Sequence, residues 1–193
     1  LLQALAQKEA YDIRAQAGVF PAATSDTVLF NGFLLAASKA AEGVGFPKRV
    51  ADQLAAALGE LRGNIEEHSE RASSGAVCYL AIDGRFEVVA VDGGIGVLAS
   101  LRSCDEYADL RNDGDALHVA VRDGGSRHGS NSNRGHGYRP IFVGLANHSA
   151  HLRFRSGAAA LEIDGRNPVE MPNLRITPKP NIPGLVVSVS CRP

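Results

Sequence analysis

The sequence predicts an α+β fold: a two-layer sandwich in which helices cover one face of a mixed, largely antiparallel sheet. Two observations lead there. Apolar, β-branched runs arrive in pairs around tight-turn signals, Ala76–Ile82 with Phe86–Val91 about Asp83-Gly84, and His151–Arg155 with Ala159–Ile163 about Ser156-Gly157. Helix-period stretches are set before and between these pairs, instead of alternating with single strands as a doubly wound parallel fold requires. A chain of 193 residues at 45% hydrophobic can bury one good core, so one domain over 46–193 with a helical extension over 1–45 is the expected organisation.

Residues 1–17 are rich in good helix formers and read as a helix, and 18–27, with Pro21, Thr24, Ser25 and Asp26, as a connector. Residues 28–42 are apolar enough for a second helix, ended by Gly43-x-Gly45. A long helix starts near Pro47, since proline suits a first turn. Val50, Leu54, Leu58, Leu61 and Ile65 form its apolar stripe. At roughly 100° per residue, Glu60, Asn64 and His68 make a row offset by about 80° from the centre of that stripe, bordering the buried face. Gly63 in mid-helix costs about 1 kcal/mol against alanine with no evident return. After the first hairpin come short helical pieces over 98–113 and a helix over Asp115–Asp123. The Gly/Ser/Asn-rich loop 124–137 follows, then a helix from Tyr138 to Asn147, the second hairpin, a Pro-rich connector over 168–183, and a last strand Leu185–Ser190.

Composition excludes several classes. Lys+Arg of 20 against Asp+Glu of 21 offers no global charge for nucleic acid or an anionic membrane. Three widely spaced cysteines, Cys78, Cys104 and Cys191, argue against a disulfide framework and for a reducing compartment. No apolar run reaches the length of a membrane span and no basic-then-apolar leader opens the chain, so a cytoplasmic protein is expected. The start at Leu1 suits a piece of a longer polypeptide. No G-x-S-x-G elbow is present for a serine hydrolase, and His148-x-x-His151 has no cysteine or carboxylate nearby to complete a metal site.

Three short signals carry chemistry. Glu60-x-x-x-Asn64-x-x-x-His68 lies on the long helix. Asp92-Gly93-Gly94-Ile95-Gly96 ends a hydrophobic strand, and Gly135-His136-Gly137 closes the polar loop before a helix. An aspartate at a strand end can accept from an exocyclic amine, with glycines beside it leaving room for a base and sugar. An asparagine on a helix offers a neutral oxygen to magnesium, which binds through few protein groups plus phosphates and water. A glutamate one turn earlier can take a proton from an attacking oxygen. Taken singly, each signal is also what a solvated helix face, a glycine turn or an ordinary loop would show.

In this order the three resemble the N, G1 and G2 boxes of the GHKL superfamily of histidine-kinase-like ATPases, over about residues 46–191. The resemblance is nearest to anti-sigma-factor serine kinases and sensor-kinase catalytic domains. It implies a Bergerat-type ATP-binding fold with ATP and magnesium as cofactors. Asp92 would read the adenine amine with Gly94, Ile95 and Gly96 around the base, and Asn64 would be magnesium's protein ligand. Glu60 would be the general base, and His68 an orienting or packing residue. The run 124–134 would be the lid, with Ser126, Arg127 and Arg134 toward phosphate, followed by Gly135, His136 and Gly137 at a helix N-terminus. Implied partners are ATP and a protein acting as phosphoacceptor or regulator, with a homodimer allowed and no nucleic acid. The chain departs from the family in two places. Gly184 is followed by Leu185 where the family has threonine, and no histidine sits in a phosphoacceptor-like His-Glu or His-Asp pair. The first departure favours the alternatives to a kinase or ATPase: a nucleotide-gated, non-catalytic module or, behind it, a degenerate domain that binds a protein partner and no nucleotide.

Overall fold

The structure, a computed structural model, describes residues 12–13, 15–122, 151–164 and 174–193. Their strands are β1 (Asp12–Ile13), β2 (Ala17–Pro21), β3 (Ala76–Ile82), β4 (Arg85–Asp92), β5 (His151–Asp164) and β6 (Leu174–Cys191). They form one six-stranded sheet in the order β1-β2-β3-β4-β6-β5. Every pairing among the described strands is antiparallel, so the parallel component of the expected mixed sheet is not found there.

The helices are α1 (Thr27–Gly43), α2 (Lys48–His68), α3 (Gly96–Arg102) and α4 (Asp113–Arg122). Asp26 caps α1 by accepting from the Leu29 amide at 3.0 Å. Pro47 precedes α2, and the stripe Val50, Leu54, Leu58, Leu61 and Ile65 is buried, as its spacing requires. It packs on the alternate residues of the sheet that point the same way: Val77 and Tyr79 of β3, Phe86 and Val88 of β4, Val187 and Val189 of β6. Leu80, Ile82 and Val186, one residue out of phase, are exposed. Among the described residues the architecture is therefore α+β, with helices packed on one face of an antiparallel sheet.

Four sequence expectations change. Residues 12–13 and 17–21 are strands, not helix and connector; residues 1–11 lie outside the described residues. β2 is held by non-local pairing with β3 and by a ring chain in which Phe20, Phe30, Phe33 and Tyr79 follow one another. Gly18 is needed there, because a Cβ would sit 2.5 Å from the Tyr79 ring. Residues 17–45, read as part of a helical extension, thus add a strand to the sheet and a helix to the core.

The second hairpin is also absent. His151–Asp164 is one strand along β6, and Ser156-Gly157 is a bulge in it rather than a turn. Serine, glycine and a positive φ (56° at Gly157) mark either structure locally, and only the partner strand decides between them. Residues 174–183 belong to β6 despite Pro178, Pro180 and Pro183. The ladder with β4 ends at Asp92–Leu185, so among the described residues this half of β6 pairs with β5 alone, and its other edge, unpaired among them, tolerates proline. Finally, α4 begins at Asp113, two residues before the expected start, whereas the short helical pieces expected over 98–113 are found as α3 and a 3₁₀ turn at Asp105–Tyr107.

Candidate functional site

Asp92 is the last residue of β4 and points to the helix side of the sheet with Phe86, Val88 and Ala90. It retains 8% of its exposure. Its Oδ1 accepts from the Gly94 amide at 2.8 Å, an Asx turn that folds the chain back at once, while Oδ2 accepts nothing among the described residues. Burial pushes the Asp92 carboxyl above the usual carboxylate range, and the Gly94 hydrogen bond opposes that only in part. A nearly buried carboxylate with one oxygen spare lowers stability unless something donates to it.

The loop that follows is clamped amide by amide. Gly93 donates to Ser74 Oγ at 2.9 Å, Ile95 to the Ser69 carbonyl at 3.0 Å, and Val97 to Ser156 Oγ at 3.0 Å. These amides are spent on the protein itself. The glycines serve close packing as well. A Cβ on Gly94 would lie 2.0 Å from the Ser69 oxygen, and one on Gly96, whose φ is 78°, would lie 2.8 Å from Ser156 Oγ. The space that the sequence suggests is left for a base and sugar at these two positions is filled by protein atoms.

Ser69 is the residue that ends α2, so the Ile95–Ser69 bond fixes the C-terminal end of α2 against the loop. Counting back from Ser69 at about 1.5 Å per residue, Asn64 stands about 7.5 Å along the helix and Glu60 about 13.5 Å. Asn64 and His68 are half-buried and Glu60 is exposed. The side chains of Asn64 and Glu60 make no hydrogen bond or ion pair among the described residues. The row expected from helical spacing is therefore present, running away from the Asp92 loop.

On the other side of Asp92 stands Gly184, with φ 69°, where a Cβ would meet the Asp92 backbone oxygen at 2.1 Å. Leu185, which pairs with Asp92 across β4 and β6, is buried in the core and supplies no hydroxyl. The nearby hydroxyl comes from Ser156 of β5, 1% exposed, which donates to the Gly184 carbonyl at 2.7 Å while accepting from Val97. A cleft of about 560 Å³ beside this junction is lined by Gly96, Leu98, Arg102, Asp113 and Gly184 among others. Its lining includes Ile95 and Gly96 but neither Asp92 nor Asn64, so it flanks the carboxylate without enclosing it.

Sequence reasoning missed Ser69 and Ser74, which carry no signal of their own; it read Ser156 only as part of a turn and Gly184 only as the glycine before the last strand. Ser126, Arg127, Arg134, Gly135, His136 and Gly137 lie outside the described residues, as does the helix expected from Tyr138. Burial pushes the Cys78 thiol up to about 11 and the Cys191 thiol up to about 12, far from the thiolate form at neutral pH. No described helix is long and apolar enough to cross a membrane. Comparison with family models, with curated proteins and with solved structures finds no match.

Proposed function

We propose that the chain is a Bergerat-type, histidine-kinase-like ATP-binding domain that performs magnesium-dependent phosphoryl transfer or ATP hydrolysis in signalling. The observation that carries this reading is Asp92: a carboxylate kept almost buried at the end of a strand, one oxygen held by its own loop and the other unpaired among the described residues. Such a group, already stripped of most of its water, is suited to accept from the exocyclic amine of adenine. A second support is the order of residues along α2. ATP is an elongated molecule with its base at one end and its phosphates at the other. The row from the Asp92 loop through His68 and Asn64 to Glu60 offers first a base acceptor, then a neutral oxygen for magnesium, then a base for an attacking oxygen.

One observation favours the alternative of a nucleotide-gated module that changes partner affinity without turnover. Glu60 is exposed and no side chain among the described residues orients it, whereas a general base works from a fixed position. Calorimetric titration with ATP and magnesium tests the binding half of the proposal, and a phosphate-release assay then separates the two readings. Binding with measurable release supports the enzyme. Binding without release, alone or with protein acceptors, leaves the gated module, and absence of binding removes both.

A further inference from the structure

Building on the ATP reading, the geometry points to Ser156 as the residue that positions Asp92 for base recognition. Asp92 is held between two backbone elements. On one side is the turn Gly93–Gly96, which delivers the Gly94 amide to Oδ1; on the other is Gly184, whose Cα sits so close that a Cβ there would lie 2.7 Å from that same Oδ1. A single hydroxyl ties the two together. Ser156 Oγ accepts from the Val97 amide, the first one past Gly96, and donates to the Gly184 carbonyl. Both bonds are buried, and the serine is 1% exposed, so neither lost partner would find water in exchange.

The serine reaches this place because β5 bulges. The ladder with β6 shifts register at Ser156/Gly157 and again at Gly157/Ala159. At the same bulge the Ala158 amide donates to Asp113 at the start of α4 at 2.9 Å, and a Cβ on Gly157 would collide with the Asp113 carboxylate at 2.2 Å. The bulge is thus pinned from behind by Asp113 and presents Ser156 to the gap between Val97 and Gly184. Hydrophobic packing fixes β4 and β6; Ser74 and Ser69 hold the turn at Gly93 and Ile95, and the Ser156 hydroxyl joins its far end, at Val97, to Gly184. Ser156 itself touches neither base nor phosphate. It fixes the direction of the Asp92 oxygen that reads the base.

The test is calorimetric titration of the full 193-residue chain with ATP and, separately, GTP, both with magnesium, for wild type, Ser156→Ala, Ser156→Thr and Ser156→Cys. Loss of the hydroxyl in Ser156→Ala should weaken ATP by about five- to tenfold, the worth of about one hydrogen bond, and reduce the preference for ATP over GTP. Ser156→Thr keeps the hydroxyl and should return the preference to within about twofold of wild type. A purely structural loss would leave the ATP/GTP ratio of the folded fraction unchanged, so that ratio is the deciding readout. If Ser156→Ala does not fold, the near-isosteric Ser156→Cys, whose thiol is a weak donor, should show the same fall in preference. Wild type that prefers ATP alongside a folded Ala or Cys variant with the same ratio overturns the role of Ser156 and leaves the ATP reading intact. Wild type that binds no ATP overturns the reading and this inference together.

Discussion

Replacing Gly94 with alanine tests whether the loop after β4 is as tightly built as its contacts state. A Cβ at this position would sit 2.0 Å from the Ser69 oxygen, 2.7 Å from its carbonyl carbon and 2.8 Å from its Cβ. The first two are backbone atoms at the end of α2 and cannot rotate aside, so the loop must move by about 1 Å. Moving it stretches the Ile95–Ser69 bond of 3.0 Å and the Gly94–Asp92 bond of 2.8 Å. Weakening one neutral and one charged hydrogen bond, with the strain of overpacking, comes to about 2–4 kcal/mol. For a chain of this size about 2–4 °C of melting temperature goes with each kcal/mol, so Gly94→Ala should melt about 4–16 °C below wild type. Gly63→Ala is the internal control. That glycine lies within α2, and a Cβ added to it would meet nothing within 4 Å, so alanine should stabilise by about 0.5–1 kcal/mol, raising the melting temperature by about 1–4 °C. Thermal unfolding followed by far-UV circular dichroism, without nucleotide, reads both. Gly94→Ala melting with wild type, or Gly63→Ala falling as far as Gly94→Ala, would refute the packing argument.

Asp92→Asn should raise the melting temperature of the nucleotide-free protein at pH 7, because burial disfavours the charged carboxylate. The folded value is raised, so the group's favourable contribution is complete below the unfolded value of about 3.9 and is lost as pH rises through the folded one; the gap between variant and wild type should close below about pH 4. A variant less stable than wild type at pH 7 contradicts this. Asn64→Ala should weaken ATP binding by about tenfold with magnesium present and little without it, as titration with and without a chelator would show. Equal losses in both conditions would deny Asn64 its metal. Glu60→Gln should leave ATP affinity unchanged and lower phosphate release by about 10²–10⁴-fold if the enzyme reading holds; unchanged release removes Glu60 from the mechanism.

The elements written in local pattern were legible in the sequence. The stripe of α2, the Asp83-Gly84 hairpin and the arrival of Asp92 at a strand end are each set by residues within one helical turn or one strand of each other. What escaped was decided at a distance. β2 is five residues long with a glycine and a proline, and it is a strand because β3 pairs with it and Phe20 finds a ring cluster. Ser156-Gly157 carries a turn's residues yet bulges, because β6 continues alongside. The candidate site divides the same way. Asp92, Gly94 and Gly96 stand out as a spaced motif, but the atoms that make those glycines obligatory belong to Ser69, Ser156 and Gly184, scattered over more than a hundred residues and joined only by the fold.

Titrating wild type and Asp92→Asn with ATP and with GTP, each with magnesium, tests most directly whether the spare oxygen of Asp92 reads an adenine amine. A hydrogen bond to a charged group is worth about 1.5–3 kcal/mol, so the variant should lose about ten- to a hundredfold in ATP affinity and clearly less for GTP, which lacks that amine. Equal losses for the two nucleotides, or none, would contradict the account.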